Sequence, residues 1–411
     1  MADHTPRTVL CLASYEKGAG FLRECHHQGW RVLLLTTTAL EHADWPREAL
    51  HDIFYMPDLS DQMAVLHAVS YLARTHALDR VVALDDYDVE IAAAVREHLR
   101  LPGMGASQAR LVRDKLAMRT RAHQQGIAVP DFVHLLNEAA IARFLEDVPP
   151  PWLLKPRSEV STIGITRVST PNEVWARRDA LGDRASYHLL ERYIHGAVYH
   201  VDSIIVDGAV LFAEVHQYAR PPLDVYHGGG LAVTRTVARG AADEAAPRAL
   251  NARVIQALGV RRGVTHMEFI RGQDDGRLYF LEVGARVGGA YIGDLVAAAT
   301  DVDLWAEWAR IETLADGRAY TLPTARHDYA AAIVSLARQE APDTSGYTDA
   351  EIVVRVAKPH HVGFVLCSPD PARLSMLLDD YSHRIGQDFS AVLPPWLNRP
   401  PNPSTQPAPS G

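Results

Sequence analysis

From Thr8 to Arg100 the chain repeats one alternation: a short apolar run, a turn, then an amphipathic stretch. "TVLCLAS" leads through "YEKGAGFLRECHHQGW" to "RVLLLTTT", and "RVVALDD" leads into "YDVEIAAAVREHLR". Apolar strands separated by amphipathic helices pair in parallel, because each helix carries the chain back to the same end of the sheet. The segment therefore predicts a doubly wound α/β lobe, closed by "LPGMGAS" at about Ser107.

The texture then changes. A helix over "QARLVRDKLAMRTRAHQQG" ends on Gly126, and "WLLKPRSEVSTIGITRVS" reads as strand, loop, strand. "YHLLERYIHG" is another strand, and "VYHVDSIIVDGAVLFAEVH" is a hairpin turning on Asp207-Gly208. After the helix "EAAPRALNARVIQALGV" comes a second hairpin, "VTHMEFIRGQDDGRLYFLEVG". This block is antiparallel α+β. With 411 residues the chain exceeds what one core organises. The expected layout is a parallel lobe over 1–107 and an α+β domain over 108–321, in subdomains of about 108–186 and 187–321. A smaller α+β lobe over 322–390 follows, then a disordered Pro-rich tail over 391–411.

Composition excludes several classes. A net charge of −9 argues against a general nucleic-acid binder. Cys11, Cys25 and Cys367 are odd in number and scattered, so neither a disulfide framework nor a zinc spacing is present. The start, "MADHTPRTVLCLAS", lacks a basic region, and its apolar run is too short for a signal or a membrane span. A cytoplasmic protein is the expectation.

The second hairpin carries the chemistry. A five-residue loop over Gln273–Arg277 sets Glu268 opposite Glu282, and opposed Cβ atoms on neighbouring strands lie about 4.5–5.5 Å apart. Like charges at that spacing need a compensating cation. Hard carboxylate oxygens suit Mg²⁺, and Arg286, among Gly284, Gly288 and Gly289, follows close behind. The alternative is a solvated face on which both glutamates pair with surface arginines. Elsewhere, "WLLKPRSEVSTIGI" ends a strand on Lys155 and continues through Ser158, Ser161, Thr162 and Gly164, a candidate phosphate cradle. It lacks the P-loop pattern, and an idle hydroxyl-rich loop is the competing reading. Glu191 in "HLLERYIHG" either accepts from an exocyclic amine, with the backbone of Tyr193 and Ile194 pairing a flat heterocycle, or faces water. Lys115 in "VRDKLAMR" read alone is an exposed helix lysine.

In their order Lys115, Lys155, "LLERYIHG", "HMEFI" and "FLEVGARVGG", these stretches resemble the ATP-grasp superfamily, specifically its carboxylate–amine ligases of biotin-carboxylase-like fold. The resemblance runs from about Thr8 to Thr321. It implies ATP held between two α+β subdomains, with Lys115 and Lys155 on the phosphates and the 157–164 loop closing over them. Glu191, Tyr193, Ile194 and Ile270 would line the adenine pocket. Glu268 and Glu282 would hold one or two Mg²⁺ or Mn²⁺ ions, and Arg286 would steady an acyl phosphate. The first lobe resembles the pre-ATP-grasp domain. Two departures stand out: Gly284 replaces an asparagine common in relatives, and Val198 stands where they place a ribose-binding glutamate, with His200 or Asp202 as substitutes.

The resemblance implies an enzyme in which a substrate carboxylate attacks the γ-phosphate of ATP and an amine then displaces phosphate, forming an amide or peptide bond. Amino acids are the expected acid and amine, and a homodimer is compatible with the family, although no residue here argues for it. "EVHQYARPPLDVYHGGGLAVTRT" lies where such enzymes carry a mobile loop, giving Tyr218, Arg220 and His227 as candidate substrate contacts beside Gly289. Two rival readings are a carboxylase activating bicarbonate and a nucleotide-binding regulatory module without turnover.

Overall fold

The computed structural model describes residues 6–315, 318–389 and 391, so the expected tail over 391–411 lies almost wholly outside the described residues. The first lobe is a parallel sheet of β1 (Thr8–Ala13), β2 (Arg31–Thr37), β3 (Asp52–Met56) and β4 (Arg80–Ala83), in the order β3-β2-β1-β4. All six residues of β1 are buried. Val9, Cys11 and Ala13 enter one core, and Leu10 and Leu12 enter another. Both faces of the strand are therefore covered by helices, which is why it reads as an unbroken apolar run. β3 begins on an exposed aspartate and is only half-buried, so it left no comparable run to read.

Two antiparallel sheets follow. The smaller has β5 (Phe132–His134), β6 (Trp152–Pro156), β7 (Thr166–Val168) and β8 (His188–Arg192), in the order β5-β8-β6-β7. The larger begins with β9 (Gly196–Val206), β10 (Ala209–Tyr218), β11 (Ala232–Thr236), β12 (Gly263–Gly272) and β13 (Leu278–Gly284), and takes in β14 (Tyr329–Leu336), β15 (Ile352–Arg355) and β16 (His361–Ser368). Its order is β13-β12-β9-β10-β11-β14-β16-β15. Sheet membership moves two expected divisions. β8 pairs with β5 and β6, so the first α+β unit runs past 186 to Arg192. The strands after 322 continue the large sheet through the β11–β14 pairing, although helix Pro371–Asp388 closes a core of its own over β14 and β16.

Both hairpins form. Asp207 and Gly208 have φ of 52° and 84°, the left-handed pair of a type I′ turn, and link Val206 to Ala209. In the second hairpin the Gly272 N–H donates to the Arg277 carbonyl, so the turn spans 273–276, one residue shorter than expected. The ladder then slips: Phe269 opposes Phe280 but Glu268 opposes Glu282, leaving Leu281 as a bulge. The missing loop residue and the extra strand residue cancel. The two glutamates meet as expected, by a different route.

The first lobe is fastened to the rest. Phe21 packs edge-on to Trp308 at 5.1 Å, and the Arg310 Nε donates to Glu24 at 2.8 Å. One core runs from β1 and β2 into Val287, Val296 and Leu304.

Candidate functional site

A cleft of about 850 Å³, its open mouth included, lies between the small sheet and the β12–β13 end of the large one. It is a size that takes a nucleotide-scale ligand. Lys155 enters from β6 and Glu191 from β8, and the register Leu153↔Glu191 makes these two side chains diagonal neighbours on one face. The Lys155 Nζ donates to Glu191 Oε1 at 2.6 Å, and the Arg119 Nε donates to Glu191 Oε2 at 2.7 Å. Arg119 also donates to the carbonyl of the bulged Leu281. Lys115 stands one turn before Arg119, in a helix capped by Asp114, which accepts from Leu116 N–H at 2.9 Å. Its ammonium lies 2.8 Å from Glu282 Oε2 and donates to the Glu159 carbonyl at 2.5 Å. Lys115 is thus buried, not an exposed helix lysine.

Charge is balanced locally. Burial pushes the Glu282 pKa up, but Lys115, then Lys155 and Arg119, outweigh it and hold the group at about 2. For Glu191 burial again opposes ionisation, and Arg119 and Lys155 together bring the pKa below its ordinary value. The other carboxylate of the facing pair, Glu268, accepts from the Tyr218 hydroxyl at 3.0 Å and has His266 Nε2 at 3.6 Å. Behind it, Asp202 is fully buried and meets His266 Nδ1 at 2.9 Å and His200 Nδ1 at 2.7 Å. Burial lowers the His266 pKa, but Asp202 and Glu268 prevail and raise it to about 9.

The cleft gathers Lys115, Lys155, Thr162, Glu191, Tyr193, Ile194, Glu268, Ile270 and Glu282 from the expected set. Ser158, Ser161 and Gly164 share the β6–β7 loop with Thr162, where Ser161, Thr162 and Gly164 all have positive φ. Thr162 lines the cleft, and its Oγ1, buried behind that wall, has no hydrogen-bond partner. Together with two lysines and the facing acid pair, that orphan hydroxyl fits a phosphate chain with a divalent ion.

Several expectations are corrected. Glu191 lies on the cleft with each carboxylate oxygen accepting from a cation, Lys155 on one and Arg119 on the other, a pairing the sequence did not show. The Tyr193 N–H donates to the Pro151 carbonyl, so of the two backbone groups only Ile194 keeps a free N–H. His200 is sealed between Asp202 and Thr234 under the Tyr218 ring and does not reach the cleft. Asp202 is equally buried and off the cleft, while Val198 does line it. Tyr218 ends a strand and grips Glu268, so it is not part of a mobile loop. Arg220 reaches only the Gly229 carbonyl, at 3.4 Å, and His227 sits on the short helix Pro222–Gly228. Pro221, Pro222 and Leu223 are what this segment gives to the cleft. Arg286 and Gly289 are not on its walls, and Arg286 is bound to Asp86 of the first lobe.

Sequence reasoning missed Arg119, whose four-residue spacing from Lys115 was a readable sign of a shared helix face. It also missed the apolar lining of Leu153, Ile163, Ile165 and Leu281, for which no local signal exists.

Three sheets in this order, with lysines and acids facing across the cleft, form a fold shared with solved structures that are ATP-grasp ligases. No family model matches the chain. The L-arginine-specific L-amino acid ligase of Bacillus subtilis is 22% identical over 273 residues, covering 64% of this chain and 65% of that protein. The D-alanine–D-alanine ligase of Dechloromonas aromatica is 25% identical over 193 residues, covering 46% and 63%. The chain thus spans under two thirds of the length of these curated relatives. Among solved structures, L-amino acid ligase from Bacillus licheniformis superposes with a TM-score of 0.75 at 16% identity, covering 94% of this chain and 99% of that one. N5-carboxyaminoimidazole ribonucleotide synthetase from Thermus thermophilus does so at 0.70 and 20%, over 94% and 99%. At these identities the likeness establishes the fold. Among the described residues no helix is long and apolar enough to cross a membrane.

Proposed function

We propose that this chain is an ATP- and Mg²⁺-dependent carboxylate–amine ligase that joins amino acids through an acyl phosphate, releasing ADP and phosphate. The observation that carries the reading is the facing pair Glu268 and Glu282, set within one cleft against Lys115, Lys155 and Arg119. Both reactants of the first step are anions, so the barrier is one of charge and alignment. Lys115 and Lys155, held by acids in the resting cleft, turn to the phosphates. The orphan Thr162 hydroxyl and the loop around it close over them. Glu268 and Glu282 would hold Mg²⁺, which would supply Lewis-acid polarisation of the phosphoryl oxygens. The apolar walls, with Ile194 N–H, receive the base. Arg286, off the cleft walls but near enough to Glu282 to feel its charge, would face the charge that develops on the acyl phosphate.

Amino acids as both substrates are supported by likeness to ligases whose names specify them. The test is Mg²⁺-dependent ADP release across pooled amino-acid pairs, with mass detection of the coupled product. Glu282→Gln should reduce release by at least about a hundred-fold while ATP-analogue binding persists. ADP release that requires only bicarbonate would replace the ligase with a carboxylase. Tight ATP binding with no release under any pairing would leave a regulatory module.

A further inference from the structure

Arg286 follows β13 closely, yet its guanidinium ends on a carboxylate of the first lobe. Its Nε donates to Asp86 Oδ2 at 2.6 Å, its Nη2 pairs with the same oxygen, and its Nη1 donates to the Val287 carbonyl at 2.8 Å. A guanidinium has five N–H groups, so one on each terminal nitrogen remains uncommitted.

Asp86 is itself held. It is 5% exposed and opens the single-turn helix Asp86–Asp88 just beyond β4, at the carboxyl end of the parallel sheet. Asp85 caps that turn by accepting from the Tyr87 N–H at 3.1 Å and pairs with Lys17. Asp88 accepts from Ser14 N–H at 2.8 Å and from its hydroxyl at 2.5 Å, tying the turn to the end of β1.

A second, independent observation comes from β13. Gly284 is not one of the glycines with positive φ, so its backbone would accept alanine. What forbids a side chain is distance: a Cβ there would lie 2.9 Å from Asp86 Oδ1. Residue 284 shares its strand face with Glu282. Asp86 therefore occupies the side-chain space of position 284, next to one acid of the facing pair.

We propose that Asp86 is a positioning residue for the reaction. It reaches from the first lobe to fix the plane of Arg286 and the direction of its two uncommitted N–H groups, and residue 284 is glycine so that it can. This rests on the role given to Arg286 in the ligase reading above. Asp86→Asn and Gly284→Ala should each lower kcat for ADP release by about a hundred-fold, the cost of a misplacement of an ångström or so, with KM for ATP nearly unchanged. Adding Gly284→Ala to Asp86→Ala should cost nothing more, since no carboxylate is left to displace. Unchanged kcat, losses that multiply, or KM rising in step with the fall in kcat would overturn the proposal. Thermal melts of each variant identify simple unfolding, and Gly284→Ala, which removes no bond, keeps the test open if Asp86 variants fail to fold. Phenylglyoxal labelling of Arg286, followed by peptide mass spectrometry, gives a readout that needs no turnover. Asp86→Asn should raise its rate several-fold over wild type, and equal rates would overturn the proposal. Should the wild type release no ADP with any pair, the ligase reading fails on that assay alone, and the labelling still decides whether Asp86 holds Arg286.

Discussion

Single side chains at this site work in opposed sets, and Arg119 shows what that means for stability. It is 1% exposed and bonds Glu191 and the Leu281 carbonyl together. Removing one partner from a buried ion pair costs about 3–5 kcal/mol, because the remaining charge stays desolvated. Because Glu191 keeps Lys155, Arg119→Ala should lower the unfolding free energy by the lower end of that range, about 3 kcal/mol, in urea titrations and abolish ATP-analogue binding. Tyr218 has a narrower task, since its hydroxyl orients Glu268 from behind. Tyr218→Phe should leave the melting temperature nearly unchanged while weakening Mn²⁺ binding about ten-fold, as loss of a partner behind a metal ligand does. Manganese titration followed by electron paramagnetic resonance reads this directly. At this scale the sequence was a good guide to residue type and a poor one to role. Lys155 and Glu191 were legible as charges ending or interrupting apolar strands. That they bind each other was not, since the pairing depends on which strand lies beside β6.

Among elements, the β12–β13 hairpin places the acid pair, and its bulge sets the register. Deleting Leu281 would restore an uninterrupted ladder in which Phe280 still opposes Phe269 and Glu282 still opposes Glu268, so the acid pair would keep its shared face. The deletion should therefore leave Mg²⁺-dependent ADP release in place, in contrast to Glu282→Gln. It should also destabilise the chain, because Arg119 loses its carbonyl acceptor. Loss of metal dependence would mean that the bulge, and not the pairing alone, places the acids. The hairpin was legible from its alternating pattern and its Gly- and Asp-rich turn. The bulge was not, because nothing in "RLYFLEVG" distinguishes a residue that leaves the ladder from one that stays in it.

Over the whole molecule, the first lobe carries buried acids just beyond β4, Asp86 bound to Arg286 and Asp88 to Ser14. Burial raises the pKa of Asp88 to about 7, an effect that the hydrogen bonds from Ser14 only partly offset. An unfolded aspartate titrates at about 3.9, so between that pH and about 7 the folded protein holds a proton that the unfolded chain has released. Stability from this group therefore falls as pH rises through that window. Asp88→Asn, uncharged throughout, should flatten that part of a plot of melting temperature against pH. A wild-type curve that rises steadily from pH 5 to 7, with the variant running parallel, would contradict the assignment.

By itself the sequence determined the periodicities, and with them the parallel lobe, the antiparallel hairpins, the Asp207-Gly208 turn and the acids that face each other. These are local, because period, turn chemistry and charge are carried by residues near one another in the chain. Only the tertiary structure decided that β8 joins the small sheet, that the strands after 322 extend the large one, and that Asp86 meets Arg286 across the lobes. Such pairings depend on which surfaces bury best against each other, and no stretch of sequence carries that sum alone.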